Sequence, residues 1–241
     1  MKGVILAGGY GTRLRPLTHV VNKHLLPVYD KPMVLYALGI LKESGIRDVL
    51  IVSEESHCEQ FSRFLKDGSE YGVSLSYEGQ RGAGGIAEAL GLAKEFVGAD
   101  SLAVILGYNI FENHFASDVA SFVSGAKVFL KEVSDPERFG VPVLQDGKIA
   151  LVEEKPSLPK TRYAVTGFYL FDSSVFDVVG KLRPSNRGEL EITDAVNAYA
   201  KEGSLTHGIV EGYWSDAGTF QSLLEASVWA AGRDVSGTAS A

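Results

Sequence analysis

The stretch LAGGYGTRLRPLT, Leu6 to Thr18, carries residue types that hold phosphate. An apolar run ending at Leu6 passes into Gly8, Gly9 and Gly11, where the lack of a Cβ lets the backbone turn sharply and approach a ligand. Backbone N–H groups of such a turn cradle anionic oxygens, and Arg13 and Arg15 add positive charge. Lys23, in NKHLLPVYDKP, follows closely enough for a flexible ammonium to reach the same anion. The loop is not a P-loop, because no Gly-Lys-Ser/Thr follows. Nor is it the dinucleotide fingerprint, because Leu14 stands at the third glycine. Taken alone, it reads equally well as a plain turn after a first strand.

Five other stretches carry candidate chemistry. In YEGQRGAGGIAEAL, Gln80 offers an amide that both donates and accepts, the pairing a base edge needs; otherwise the segment is a polar loop before a helix. VEEKP contains Glu154 and Lys155, commonly just a solvated strand end, and RGELEITD contains Arg187. GYWSDAGT contains Trp214 and Asp216, and an aspartate before a helix is most often an N-cap. SLAVILGYNIF reads as a buried strand that breaks at Gly107-Tyr108-Asn109. The carboxyl ends of strands are where open α/β sheets bind ligands, so this places a bulky, neutral phenol at a binding lip.

The elements that must position these groups alternate. GVILAG, DVLIVS, VSLSYEG and SLAVIL read as strands. KPMVLYALGILKESG, His57 to Lys66 and GGIAEALGLAKEFVG read as helices between them, the first opened by Pro32 and stopped by Gly45. This order predicts a parallel sheet with helices on both faces. The second half is richer in strands: AKVFLKEV, a hairpin VPVLQDGKIALVEEKP turning at Asp146-Gly147, and AVTGFYLFD. Pro142 inside that hairpin suggests an edge strand. A helix over RGELEITDAVNAYAKEG and a last helix to about Ala231 follow. The predicted fold class is α/β, a Rossmann-like mixed sheet flanked by helices with a β-rich portion. We expect a single domain over 1–231, with a nucleotide-binding half to about 125, a second half over 126–231, and a loose tail over 232–241.

The chain has 241 residues, 45% hydrophobic and 22% charged, as in ordinary globular proteins. A net charge of -7 argues against nucleic acid as a partner, but not against small anions that meet a local cationic cluster. No apolar run is long enough to span a membrane, and MKGVILAGG reads as a strand rather than a signal peptide. Cys58 is the only cysteine, which favours a cytoplasmic setting. The five histidines lack metal-ligand spacing and read as surface or packing residues.

From Lys2 to about Ala231, the ordered motifs resemble the sugar-1-phosphate nucleotidyltransferases, and among them the short form of the glucose-1-phosphate thymidylyltransferases. The resemblance implies an enzyme that joins a pyrimidine nucleoside triphosphate (dTTP or UTP) to a sugar 1-phosphate. A phosphate oxygen of the sugar attacks the α-phosphorus in line and pyrophosphate leaves, so positioning and cations carry the catalysis. It implies that Leu6, Gly8, Gly9, Gly11, Thr12 and Arg13 hold the nucleotide, with Gln80 and Gly85 reading the base. It further implies that Asn109, Gly140, Glu154, Lys155, Tyr169, Arg187 and Trp214 hold the sugar phosphate, and that Arg13, Lys23 and Lys155 act in catalysis. Asp216 becomes a Mg²⁺ ligand, and homo-oligomers are expected.

One position departs from the pattern. The family's strand end reads Gly-Asp-Asn, the aspartate being the second metal ligand, whereas here it reads Gly107-Tyr108-Asn109. A phenol with an ordinary pKa of about 10 stays neutral and offers no anionic oxygen. The alternative reading is therefore a catalytically impaired or silent homologue that binds nucleotide or sugar phosphate. Glu112, four residues on, is a candidate substitute carboxylate.

Overall fold

The computed structural model describes residues 1–82 and 84–237, with side chains to 233. Its centre is a seven-stranded sheet in the order β12-β8-β11-β6-β1-β4-β5. Four strands lie parallel: β1 (Lys2–Ala7), β4 (Asp48–Glu54), β5 (Ser74–Gln80) and β6 (Leu102–Leu106). β11 (Tyr163–Phe171) runs antiparallel between β6 and β8 (Ala126–Glu132), and β12 (Leu205–Ile209) closes the edge parallel to β8. The sheet is therefore mixed and draws strands from both halves of the chain.

The apolar runs are buried on both faces, which is why they read as continuous rather than alternating. Val4 and Leu6 of β1 join a core with Ala87, Leu90, Val104 and Tyr199. Ile5 and Ala7 point the other way, to Leu38, Phe61, Ile105 and Phe168. The first face is covered by α3 (Ile86–Gly91), α4 (Lys94–Val97), α6 (Val175–Val179) and α7 (Ile192–Glu202). The second is covered by α1 (Met33–Glu43) and α2 (Cys58–Leu65), which follow a small hairpin of β2 (Pro27–Val28) and β3 (Lys31–Pro32). Each such side chain removed from water contributes about 1.5–3 kcal/mol, so strand order is set by core burial.

Three helices differ from expectation. GGIAEALGLAKEFVG splits into α3 and α4, because after Gly91 the chain tightens to Leu92 N–H→Ala89 and Ala93 N–H→Leu90 bonds, at 3.3 and 3.0 Å. α7 begins only at Ile192; the preceding residues form a loop closed by Ser185 N–H→Glu189 O at 2.8 Å, which leaves Arg187 and Glu189 on a rim. α8 (Phe220–Gly237) runs past Ala231, so 232–237 are helical rather than loose, and 238–241 lie outside the described residues.

The hairpin of β9 (Gly140–Gln145) and β10 (Lys148–Glu154) turns at Asp146 and Gly147, both at positive φ (49° and 74°), as a type I′ turn requires. Among the described residues β9 pairs only with β10, which accommodates Pro142. Finally, β7 (Ile110–Phe111) pairs with β13 (Trp214–Ser215), and the short helix α5 (Ala116–Ser121) leads to β8. No helix among the described residues is long and apolar enough to cross a membrane.

One brace joins these layers. β11 is irregular between Val165 and Tyr169, which frees the Gly167 N–H from the ladder to donate to Asn109 Oδ1 at 2.9 Å. The Trp214 indole N–H donates to the same oxygen at 2.7 Å. A Cβ on Gly167 would sit 2.6–2.8 Å from the Asn109 amide atoms. Gly167→Ala is therefore expected to displace Asn109 and lower stability by about 1–3 kcal/mol. Urea unfolding checks this, and an unchanged midpoint contradicts the brace.

Candidate active site

In the strand order, β1 and β6 are neighbours from which the chain departs in opposite directions, so a crevice opens beyond their carboxyl ends. The Gly8 loop leaves one end and the Gly107–Asn109 turn the other, tied by Gly107 N–H→Leu6 O at 2.9 Å. Two adjoining cavities of about 170 and 200 Å³ fill the crevice.

The smaller cavity is lined by Leu6, Gly8, Gly9, Lys23, Gln80 and Gly85. Gln80 is the last residue of β5 and is buried. Its amide nitrogen donates to Glu88 Oε2 at 3.1 Å and to the Gly85 carbonyl at 3.3 Å. Its oxygen lies where a Cβ on Gly8 would come within 2.9 Å, so a side chain at position 8 would push against the amide. Gly85 has φ +102°, and a Cβ there would meet the Leu190 carbonyl at 2.5 Å. Gly11 and Thr12 lie on the loop before Arg13 and line neither cavity.

Lys23 is placed by Asn22, whose buried side chain links separate segments. Asn22 Oδ1 accepts from the His24 backbone N–H at 2.9 Å and pairs with His24 Nδ1 at 2.7 Å, while its amide donates to Ala7 O at 3.3 Å. The end of β1 and the turn bearing Lys23 are thereby locked together. Burial, with the nearby Arg13 charge, lowers the Lys23 pKa to about 8, against a weaker upward pull from Asp216. His24 is fully buried and is held neutral, its pKa well below the usual value, chiefly by desolvation.

The larger cavity takes residues from both halves of the chain: Arg13, Asn109, Gly140, Glu154, Lys155, Tyr169, Arg187, Trp214 and Asp216 all line it. Glu154, ending β10, accepts from Thr193 Oγ1 at 2.6 Å and pairs with Lys155 and Arg187, each at 3.3 Å. Arg187 also pairs with Glu191 at 2.8 Å. Lys155 and Arg187 are thus held by carboxylates that an incoming phosphate can replace. Lys155 has φ +45°, a conformation that turns the chain sharply away after Glu154. Burial drives the Tyr169 phenol pKa upward, so it stays a neutral donor.

Arg138, Glu189, Glu191 and Thr193 also line this cavity and were not singled out in the sequence. Glu189 and Glu191 fall inside RGELEITD, the stretch that carries Arg187, and Arg138 stands two residues before Gly140; a charge beside a chosen residue is the signal that marks them. Arg138 pairs with Asp216 at 3.4 Å.

Asp216 is not a helix N-cap. Thr219 has that place: its Oγ1 accepts from Ser222 N–H and its N–H donates to Ser222 Oγ, both at 3.1 Å. Lys131 holds the approach to Asp216 by donating to the carbonyls of Val210, Glu211 and Gly212 at 2.7–3.2 Å. The Asp216 side chain is only 12% exposed. Glu112 is no substitute ligand: it accepts from Tyr213 N–H at 2.8 Å, pairs with Arg233 at 3.5 Å and lines neither cavity. Among the described residues no cluster of three or more acid, histidine or cysteine side chains forms a metal cage. One carboxylate facing a phosphate-sized, cation-lined cavity fits a hard dication that takes its other ligands from substrate phosphates.

Tyr108 lines both cavities. Burial and the Asp216 charge raise its phenol pKa, so the hydroxyl remains protonated. Its ring faces Lys23 Nζ, 4.2 Å from the centroid.

Residues 2–231 match the nucleotidyl transferase family. The chain belongs to that family. The glucose-1-phosphate thymidylyltransferase of Neisseria meningitidis is 45% identical over 234 residues, covering 94% of this chain and 81% of that one. A Bacillus anthracis protein solved with sucrose is 52% identical, with 95% of each chain covered and a TM-score of 0.92. A UDP-glucose pyrophosphorylase solved with UDP-glucose is 25% identical, with 96% of this chain and 98% of that one covered and a TM-score of 0.85. Members of this family generally use a divalent metal, and nothing in these likenesses favours a silent homologue.

For this nucleotidyl transferase, triphosphate affinity measured without metal should fall as pH rises through about 8, where free Lys23 loses its proton. Lys23→Met should flatten that profile. A slope that survives the substitution assigns the titration to another group.

Proposed function

We propose that this chain transfers a nucleotidyl group from a pyrimidine nucleoside triphosphate, dTTP or UTP, to glucose 1-phosphate, releasing pyrophosphate. The observation that carries the reading is the pair of cavities sharing the Tyr108 wall, one lined by the glycine loop and Gln80, the other by Glu154, Lys155 and Arg187. The names of its relatives support both substrates, since thymidylyl and uridylyl transfer to glucose 1-phosphate differ only in the nucleotide.

In this reading the triphosphate lies along the Gly8–Gly9 loop, with the base against Gln80 and the backbone of Gly85. Lys155 and Arg187 exchange their carboxylate partners for the sugar phosphate, and Glu154 turns to the sugar hydroxyls. A phosphate oxygen of the sugar then attacks the α-phosphorus in line, the new P–O bond forming as the bond to pyrophosphate breaks. Arg13 and Lys23 offset the charge that builds on the transferred group and on the leaving pyrophosphate. We assign Mg²⁺ as the divalent ion; Asp216 would hold it together with substrate phosphates, and it would supply further charge neutralisation.

With dTTP or UTP, glucose 1-phosphate and Mg²⁺, the chain should release pyrophosphate in step with the nucleotide sugar. Gln80→Ala should narrow the preference for pyrimidine over purine triphosphates. Absence of product with every triphosphate overturns the reading, and an unaltered preference in the variant places base recognition elsewhere.

A further inference from the structure

Lys23 brings a cation into a partly buried position, yet among the described residues no carboxylate lies within ion-pairing distance of its Nζ. What it faces is the ring of Tyr108, 4.2 Å away. In the other cavity Lys155, Arg187 and Arg138 each have a carboxylate partner, whereas Arg13, like Lys23, has none among the described residues. A carboxylate holds a cation by cancelling its charge. An aromatic face holds one through its quadrupole and leaves the charge in place.

The ring is itself held firmly. It sits on the Gly107–Asn109 turn, which is tied by Gly107 N–H→Leu6 O and Asn109 N–H→Leu106 O, both at 2.9 Å. It packs against the cores under α3 and α8, and its centroid lies 5.8 Å from that of buried His24. Among the described residues its hydroxyl makes no hydrogen bond with protein. A Cβ on Gly9 would stand 3.8 Å from Lys23 Nζ, so the ammonium lies between the glycine loop and the wall dividing the two cavities.

We propose that Tyr108 is a positioning residue for nucleotidyl transfer, its ring seating the Lys23 ammonium un-neutralised at the partition where triphosphate and sugar phosphate meet. The aromatic face carries this role and the hydroxyl does not. The proposal deepens the functional reading above and rests on it for the word transfer, but the ring–ammonium coupling is measurable in binding alone.

The test is a double-mutant cycle between Tyr108→Leu and Lys23→Met. It is read first as the affinity for dTTP in EDTA by calorimetry, then as KM and kcat for pyrophosphate release. Tyr108→Leu should weaken dTTP binding roughly tenfold, with little further loss when Lys23→Met is already present. Tyr108→Phe should restore affinity to within about threefold of the parent chain. If Tyr108→Leu does not fold, Tyr108→Met takes its place in the same cycle. Additive losses overturn the proposal, as does a Tyr108→Phe variant as damaged as Tyr108→Leu. Coupled binding losses in a chain that releases no pyrophosphate uphold the seating of Lys23 and sink only the catalytic reading.

Discussion

Two phosphorylated molecules brought side by side repel each other, and the site is arranged around that repulsion. At 4 Å each pair of unit charges costs about 4 kcal/mol at an effective dielectric near 20, and several such pairs meet when a triphosphate approaches a sugar phosphate. A chain of net charge -7 answers this locally, by drawing Arg13, Lys23, Arg138, Lys155 and Arg187 from separate segments to one crevice. Held in place beforehand, these cations need little reorganisation as charge develops, which is where electrostatic catalysis gains most.

The charged groups depend on polar scaffolding. Asn22 locks the Lys23 turn to the end of β1, and Asn109 fixes the lip of β6 to the irregular part of β11 and to Trp214. Lys131 pins the loop that delivers Asp216. Each is a polar group at the junction of elements from distant parts of the chain. Losing Asn22 or Asn109 leaves buried partners unsatisfied as well as breaking a contact.

Much of this was legible in the chain. The parallel core announces itself through apolar runs such as Leu102–Leu106, and Asp146-Gly147 names its own hairpin. The glycine loop, Gln80 and the Glu154-Lys155 pair could be chosen because their chemistry is local and their order matches a known family. What was not legible is three-dimensional. The break at Gly91 and the late start of α7 follow from packing, which overrides helical periodicity. Arg138 matters because it meets Asp216 from far along the chain, and Glu112 fails as a ligand because β7 and β13 turn it toward Tyr213 and Arg233. Tyr108 read from sequence only as a lost carboxylate. Its place as a wall shared by two cavities, with an ammonium on its face, appears only once β1 and β6 lie side by side.

The central claim is that the crevice seats both phosphorylated substrates at once, one on each side of Tyr108. A crystal structure of the chain with a non-hydrolysable dTTP analogue and glucose 1-phosphate tests it most directly. The account requires simultaneous density in both lobes, with the α-phosphate and the sugar phosphate meeting beside the Tyr108 ring and Lys23 Nζ. Ligands that exclude one another, or that bind away from the glycine loop and the Glu154–Arg187 rim, would contradict it.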